Sequence, residues 1–145
     1  MRVDTLNAMI LNRLAVITVD ATLRTAACAL SKPHVGLLVV CEVNRKAAGV
    51  VSKSDIVRRL TVVGVAEASV ATLMSREIVS CRPGDDLYAT WQKMSAQNLQ
   101  NMPVLGTGSE PVGVLDIRDA LKALFEQEEY QERMLFNYVV GIGYQ

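Results

Sequence analysis

The chain has 145 residues, of which 50% are hydrophobic and only 5% aromatic. This length is enough for one ordinary domain or two half-size ones, and folding at this size buries about two-thirds of the surface of the unfolded chain. The composition predicts a folded protein with an aliphatic, alanine-rich core and excludes a disordered chain. Fifteen basic residues balance fifteen acidic ones. We therefore expect neither nucleic acid nor a membrane as a partner, because both attract an excess of positive charge.

No segment of the sequence has the character of a membrane span or a secretion signal. The longest nearly unbroken apolar stretch, Val35–Cys41, is far shorter than the roughly 20 residues needed to cross a bilayer. The N-terminus carries Asp4 and no apolar segment of the signal type. We expect a soluble, cytoplasmic protein.

The cysteines are too few and too scattered for a disulfide framework or a zinc site. Cys28, Cys41 and Cys81 lie far apart in apolar segments, and His34 is the only histidine of the chain. A nucleophilic cysteine would need a nearby base. Each cysteine is therefore interpreted as a small buried hydrophobic residue.

The first half of the chain predicts a helical turn followed by the order β-α-β-β-α. Apolar residues in the first helix recur at helical spacing, whereas the strands are short aliphatic runs that turn-forming residues separate. The predicted elements are a turn at Thr5–Leu11, a strand at Val16–Val19, a helix at Leu23–Ser31, strands at Leu37–Glu42 and Gly49–Val51, and a helix from Ser54 to about Leu60.

After a connector at Thr61–Ser69, the second half predicts the same order again and then a further helix. The predicted elements are a turn at Val70–Met74, a strand at Ile78–Cys81, a helix at Leu87–Ala96, strands at Met102–Leu105 and Val112–Leu115, and a helix from Ile117 to about Phe125. The segment Glu126–Tyr138 predicts an additional amphipathic helix. Its apolar stripe contains Tyr130, Met134, Phe136 and Tyr138.

The two halves are related by an internal repeat. A shift of 64 residues places Val16–Leu60 on Ser80–Leu124 without a gap and with seven identities. The identities cluster in the pattern Gly-Val-aliphatic-x-x-x-Asp, which occurs at Gly49–Asp55 and again at Gly113–Asp119. A repeat of this kind indicates two copies of one structural unit.

The repeated segments resemble cystathionine β-synthase (CBS) domains arranged as a tandem pair, also called a Bateman module. The resemblance covers residues 5 to 125 and is carried by Gly49–Val57, Gly113–Leu121, Met102-Pro103-Val104 and Leu73–Val79. It implies an α+β fold in which two β-α-β-β-α repeats pack sheet to sheet about a pseudo-two-fold axis, with a C-terminal helix added. The implied limits are 5–64 and 65–125 for the domains and 126–145 for a tail similar to those of small stand-alone bacterial CBS-pair proteins.

The resemblance implies that an adenosine-containing ligand, such as AMP, ATP, NAD(H) or S-adenosylmethionine, binds in a cleft between the repeats. Asp55 would accept hydrogen bonds from the ribose, and Ser52 lies at a helix N-terminus that favours phosphate. Gly49 would let the ligand approach the backbone. The first site would comprise Val50, Ser52, Lys53, Asp55, Arg58, Ser75, Ile78, Val79, Leu99 and Gln100.

A second, weaker site is implied at the equivalent cleft. It would comprise Leu14, Ala15, Val35, Gly36, Val114, Asp116 and Asp119. Asp116 stands at the Ser/Thr position of the family motif. A second negative charge ~4 Å from a phosphate would cost up to about 4 kcal/mol at an effective dielectric of about 20. We therefore expect the second site to bind a nucleotide much more weakly.

Several of these residues also have a purely structural interpretation. Ser52-x-x-Asp55 matches a capping box, and Asp116-x-x-Asp119 can cap a helix equally well. His34 is interpreted as a solvated loop residue and Trp91 as a core residue. The tail glutamates are interpreted as the solvated face of a helix.

No nucleophile-base pair, paired catalytic carboxylates or glycine-rich phosphate loop occurs in the sequence. We therefore expect a regulatory, non-enzymatic module that senses an adenine nucleotide and signals to an unidentified target. The alternative is a dimerisation or docking module whose nucleotide sites are vestigial. In both cases we expect a homodimer, formed by outward helix faces with small residues such as Ala26 and Ala29 and by the terminal helix.

Overall fold

A computed structural model of the chain describes residues 1–61 and 66–143. The predicted domain boundary between Gly64 and Val65, and the last two residues of the tail, lie outside the described residues. In the first half, a 3-10 turn at Val3–Leu6 is followed by α1 (Asn7–Asn12), β1 (Val16–Thr18), α2 (Leu23–Leu30), β2 (Leu37–Cys41), β3 (Ala47–Ser52) and α3 (Lys53–Arg59). In the second half, a 3-10 turn at Val70–Thr72 is followed by α4 (Leu87–Ala96), β4 (Asn101–Leu105), β5 (Pro111–Asp116) and α5 (Ile117–Gly143).

The two repeats form two sheets with closely matching hairpins. The first sheet has the order β1-β2-β3, with β1 parallel and β3 antiparallel to β2, and the second contains β4 and β5 in antiparallel pairing. Both hairpins have a register irregularity at equivalent places, after Val40 and after Val104. The repeat read from the sequence is therefore a repeat of structure, and the α+β fold of a tandem pair is confirmed.

The strand predicted at Ile78–Cys81 is wrong in extent, because only Cys81 pairs with β4, through an isolated parallel bridge to Val104. In the first repeat the N–H of Val39 donates to the carbonyl of Ala15 over 3.0 Å and holds β1 to β2. The equivalent residue in β4 is Pro103, which has no N–H to donate. The proline therefore prevents this ladder from extending.

The C-terminal segment also differs from expectation, because the helix predicted to end near Phe125 and the separate helix predicted at Glu126–Tyr138 are one helix, α5. The residues at this junction, Glu126–Arg133, are Glu, Gln, Tyr and Arg, without glycine or proline, and Glu, Gln and Arg are good helix formers. Nothing in this stretch stops the helix begun at Ile117. The second half of α5 is exposed as far as Gly141.

The segment that leads into each repeat packs on the core of the other repeat. Val3, Leu6 and Ile10 belong to the core that α4, β4, β5 and α5 form in the second half. Val70 and Met74 belong to the core of the first half. Each repeat is thus completed by the lead-in of the other, which ties the two halves together.

Two equivalent glycines permit this exchange. A Cβ on Gly49 would lie 2.7 Å from Met74 Sδ and 2.8 Å from the Ser75 carbonyl oxygen, and a Cβ on Gly113 would lie 2.7 Å from Ile10 Cβ. Gly49 was expected to make room for a ligand. The structure instead fills that space with the crossing chain, so the glycine is required for packing.

The sheets meet through a small cluster between the repeats. Leu37, Val39 and Cys41 of β2 are buried with Val114 of β5. The Ala47 N–H donates to the Ser109 carbonyl across the same boundary over 3.0 Å. These contacts hold the two hairpins against each other.

Helix α2 is oriented differently from expectation at two positions. Cys28 is exposed on it, whereas Cys41 and Cys81 are buried as predicted. Burial raises the pKa of the Cys81 thiol to about 12, with a contribution from the negative charge of Asp85. Ala26 is fully buried in the core and so is not part of an outward face. Three-dimensional packing selects which side of this alanine-rich helix faces inward.

Candidate functional site

A cavity of about 730 Å³ lies between the repeats and is lined by both. The first repeat contributes Pro33, Gly36, Leu37, Ser52, Lys53 and Ser54; the second contributes Asn98, Leu99, Gln100, Asn101, Asp116 and Arg118; and Arg13 comes from the segment after α1. Leu37 pairs with Ser52 across the first hairpin, and Asn101 pairs with Asp116 across the second. These two pairs are equivalent in the repeat. The cavity therefore lies where the corresponding ends of both hairpins face each other.

The cavity combines parts of both sites expected from the sequence. From the first predicted site it contains Ser52, Lys53, Leu99 and Gln100, and from the second it contains Gly36 and Asp116. The other predicted residues do not line it: Val50, Asp55, Arg58, Ser75, Ile78 and Val79 from the first set, and Leu14, Ala15, Val35, Val114 and Asp119 from the second. The equivalent ends of the two hairpins meet at this one opening, so the cavity contains a part of each predicted set.

Residues near Gly49 bind the segment that leads into the second repeat to strand β3 of the first sheet. Val50 and Ser75 exchange two backbone hydrogen bonds, of 3.0 and 2.9 Å. Val79 is partly buried against the second core. These residues hold the crossing segment in place beside β3.

Asp55 forms the capping box that the sequence allowed. The Ser52 N–H donates to Asp55 Oδ2 over 2.9 Å, and the Asp55 N–H donates to Ser52 Oγ over 3.3 Å. Arg58 Nη2 donates to Asp55 Oδ1 over 3.2 Å from a side chain that is 77% exposed. An exposed pair of this kind contributes little free energy. A ligand hydroxyl can therefore replace Arg58 without disturbing the cap.

Asp116 is the buried carboxylate of the cavity, with a side chain only 2% exposed. Arg118 donates to it from Nε over 3.0 Å, from Nη2 over 2.8 Å and from its backbone N–H over 2.8 Å. Arg13 Nη1 lies 3.5 Å from Asp116 Oδ2. Burial alone would raise the pKa of Asp116, but the hydrogen bonds from Arg118 and the charge of Arg13 lower it below its ordinary value.

The charge of Asp116, which was expected to weaken the second site, is compensated in the structure. The sequence suggested that the charge of Asp116 would repel a phosphate, but two guanidinium groups neutralise that charge. Asp116 caps the Arg118 N–H, whereas Asp119 is bound elsewhere. The expectation based on repulsion therefore loses its physical basis, while the weakness of the second site stays a prediction.

Asp119 is held by Arg13. Arg13 Nε donates to Asp119 Oδ2 over 2.6 Å and Nη2 donates to Oδ1 over 3.3 Å. The remaining nitrogen, Nη1, donates to the His34 carbonyl over 3.2 Å. The hydrogen bond to Asp119 raises the pKa of Arg13, although burial opposes this. The guanidinium thus connects the start of α5 with the exposed loop before β2.

The lining of the cavity carries an excess of positive charge. Arg13, Lys53 and Arg118 face one carboxylate, Asp116. Leu37, Leu99 and Pro33 supply apolar surface. Such a site can hold a molecule with a flat, weakly polar part and an anionic part.

Sequence reasoning missed five polar residues of the cavity, namely Arg13, Ser54, Asn98, Asn101 and Arg118. Asn101 Oδ1 is buried and has no hydrogen-bond partner among the described residues, and its amide packs against Gly36. Three of them adjoin predicted residues along the chain, because Ser54 follows Lys53, and Asn98 and Asn101 flank Leu99 and Gln100. Arg13 had no such signal.

Within residues 1–61 and 66–143, no group of three or more His, Cys, Asp or Glu residues is placed to hold a metal ion. None of the helices in this part of the chain has the length and apolar character required to span a membrane.

Comparison with known proteins places this geometry in a family. The sequence model of the CBS domain matches residues 9–62 and again residues 70–126. No curated protein sequence matches the chain. A CBS-domain-containing protein from Agrobacterium tumefaciens is similar in structure, with a TM-score of 0.71 and 22% identity over 85% of this chain and 98% of that one.

Two similar structures contain adenosine compounds. A CBS domain protein from Pyrobaculum aerophilum, complexed with AMP, has a TM-score of 0.71 and 26% identity over 82% of this chain and 89% of that one. A CBS domain pair in complex with 5′-methylthioadenosine and S-adenosyl-L-methionine has a TM-score of 0.72 and 18% identity over 88% of this chain and 98% of that one. With two matched segments and the fold of a pair, the chain belongs to the CBS domain family and carries two CBS domains in tandem.

Proposed function

We propose that the chain is a regulatory module that binds an adenosine-containing ligand, AMP, ATP or NAD(H), between its repeats and carries out no catalysis. The observation that best supports this is the cavity of about 730 Å³ that both repeats line. Its volume falls within the range of about 300–1,000 Å³ that small-molecule sites occupy. AMP in one similar structure and S-adenosyl-L-methionine in another support the adenosine class.

The charges of the cavity favour a ligand with phosphate. Lys53 lies in the first turn of α3, and Arg118 faces the same opening from the first turn of α5. Both can reach an anion between the repeats, and charge-assisted hydrogen bonds are stronger than neutral ones. A nucleotide should therefore bind more tightly than the uncharged nucleoside.

A ligand in this position would act on the arrangement of the two repeats. It would touch β3 and α3 on one side and β4 and α5 on the other. Since it binds best where both sides fit, its binding favours one relative placement of the repeats. A target protein that contacts both repeats would sense this difference.

The test is direct detection followed by titration. Purified protein is denatured, and the released small molecules are identified by mass spectrometry. Calorimetry then compares AMP, ATP, NAD(H) and adenosine on the wild type, on Lys53→Met and on a matched control, Lys46→Met, whose lysine is exposed in the turn between β2 and β3.

Loss of Lys53 should weaken AMP binding by about tenfold, because one charge-assisted hydrogen bond is removed. Adenosine binding should change little, and Lys46→Met should behave as the wild type. Equal losses for AMP and adenosine would contradict the role of Lys53. Absence of binding by all four compounds would contradict the proposed function.

A second candidate function is assembly, with vestigial nucleotide sites, and the end of α5 favours it. Tyr130, Met134, Phe136 and Tyr138 are all exposed there. A groove between α4 and α5, lined by Tyr88, Trp91, Leu121 and Phe125 among others, is also apolar. The groove and the apolar end belong to one helix, so they cannot meet within one chain.

Two copies of the chain can bring these surfaces together. If two α5 helices pack antiparallel about Gln131, Leu124 of one copy faces Tyr138 of the other, since each lies seven residues from Gln131. We therefore propose a homodimer through α5, an arrangement that closes on itself. The homodimer is compatible with either function.

A further inference from the structure

We propose that Arg13 occupies the second ribose position from within the chain, so that one nucleoside binds per chain, on the Asp55 side, where the preceding residues Ser52, Lys53 and Ser54 line the cavity. This inference rests on the proposed function, because it concerns which of the two equivalent carboxylates a nucleoside can reach. Arg13 would then be a specificity-determining residue, and the number of bound ligands is the quantity that reveals it.

The contacts of Arg13 place its side chain across the predicted second site. Two of its nitrogens donate to the two oxygens of Asp119, and the third donates to the His34 carbonyl. Asp119 is the carboxylate that would bind the ribose, and His34 precedes the predicted wall residues Val35 and Gly36. A nucleoside entering here would meet a guanidinium group that already uses both carboxylate oxygens.

Among the residues that the structure describes, the first site has no equivalent clamp, and the repeat shows why. The shift of 64 residues that relates Asp55 to Asp119 relates Glu77 to Arg13. The same shift relates Met74 to Ile10, which pack on the equivalent glycines, so the structure supports this register in the lead-in segments. An exposed glutamate stands where the clamping arginine would be, and it cannot donate a hydrogen bond to Asp55.

The two carboxylates also differ in what a ligand must displace. At Asp55 a ligand replaces one hydrogen bond from Arg58, whose side chain is 77% exposed. At Asp119 it must replace a bidentate pair in which the arginine side chain is 20% exposed. Moving Arg13 would also remove one of the two cations beside the buried Asp116. Access to Asp119 is therefore the costlier of the two.

The experiment counts adenosine sites by calorimetry. Adenosine is the probe because it carries no phosphate, so its binding does not depend on the charge of Asp116. Arg13→Met removes the guanidinium and keeps the aliphatic bulk, while Arg24→Met is the matched control, since Arg24 pairs with Glu67 on the surface with both side chains exposed. The wild type and Arg24→Met should bind one equivalent, and Arg13→Met should bind two.

A reciprocal variant, Glu77→Arg, transfers the clamp to the first site. It should weaken adenosine binding at the Asp55 site by about tenfold or more, because a charged hydrogen-bonded pair must be displaced. If thermal unfolding shows that Arg13→Met does not fold, the Glu77→Arg variant tests the proposed clamp in its place. A folded Glu77→Arg variant with unchanged affinity would then overturn the proposal.

The remaining outcomes separate the inference from the proposed function. If the wild type binds two equivalents of adenosine, the role of Arg13 is wrong and the proposed function stands. The same conclusion follows if the wild type and a folded Arg13→Met variant each bind one equivalent. Binding by Arg13→Met but not by the wild type would support the clamp and contradict the first site. If neither binds adenosine, the inference is wrong, and the titrations with AMP, ATP and NAD(H) decide separately whether the proposed function stands.

Discussion

Val39 and Pro103 occupy equivalent positions in the two repeats, and only Val39 donates a backbone hydrogen bond to the preceding segment. This difference separates a three-stranded sheet from a two-stranded one. In the variant Pro103→Val, the new N–H can reach the Val79 carbonyl. A hydrogen bond contributes about 1 kcal/mol, and loss of a proline costs about 0.4–1 kcal/mol, so overall stability should barely change.

The informative measurement on Pro103→Val is hydrogen exchange. The peptide that covers residues 101–105 should exchange more slowly than in the wild type after correction for its new amide. Unchanged protection would mean that something other than the proline prevents the third strand.

Gly49→Ala tests the crossing of the lead-in over β3. The added Cβ would meet Met74 Sδ at 2.7 Å and the Ser75 carbonyl at 2.8 Å. The side chain can move but the backbone cannot move cheaply, so we expect destabilisation by about 1–3 kcal/mol. Gly141→Ala is the control, because apart from its chain neighbours and the nearby backbone of its own helix no atom lies within 4 Å of its added Cβ. Urea unfolding of both variants measures the difference, and equal stabilities would contradict the packing role of Gly49.

Ligand binding should stabilise the fold in a way that depends on the charge of Asp55. At about a hundred times its dissociation constant, AMP should add about 2.7 kcal/mol and raise the melting temperature by several degrees. Asp55→Asn keeps a side-chain oxygen for the Ser52 N–H and so retains most of the cap, but it removes the charge that would hold the ribose. Most of the AMP-dependent shift should disappear in this variant. A full shift would show that Asp55 does not bind the ribose.

Asp116 should make the stability of the protein depend on acid pH. Its pKa is lowered in the folded state from an ordinary value of 3.8, so its ion pairs stabilise the fold above that pH. This contribution is lost as the pH falls through the lowered pKa. Asp116→Asn should therefore unfold more easily at pH 7, by about 2 kcal/mol, and the difference should shrink below pH 3.8. Denaturant unfolding across this range would contradict the assignment if the difference stayed constant.

Truncation after Glu126 tests the proposed dimer. It retains Ala120 and Ala123, through which α5 enters the second core, and removes the exposed apolar end of the helix. Light scattering at micromolar concentration should show a dimer for the full chain and weaker association for the truncated one. Thermal unfolding should show that the truncated chain still folds. A monomeric full-length chain would refute the dimer.

The sequence determined what depends on neighbours along the chain. The helices, the hairpins and the capping box at Ser52 follow from short-range periodicity, turn residues and a motif of four residues. The repeat identified equivalent positions, including Asp55 and Asp119. These features could be read locally because their hydrogen bonds join residues a few positions apart.

Tertiary structure decided which of these matching positions make the same contacts in both repeats. The missing strand at Ile78–Cys81 depends on Pro103 of a distant strand, and the single continuous α5 depends on the absence of a stop rather than on a positive signal. The contact of Arg13 with Asp119 joins residues 106 positions apart, across the exchanged lead-in. Sequence patterns describe the order of the elements, whereas burial and charge pairing arise only when distant segments meet. A guanidinium group and a carboxylate that are buried together pair with each other, because each is the nearest charge that can compensate the other.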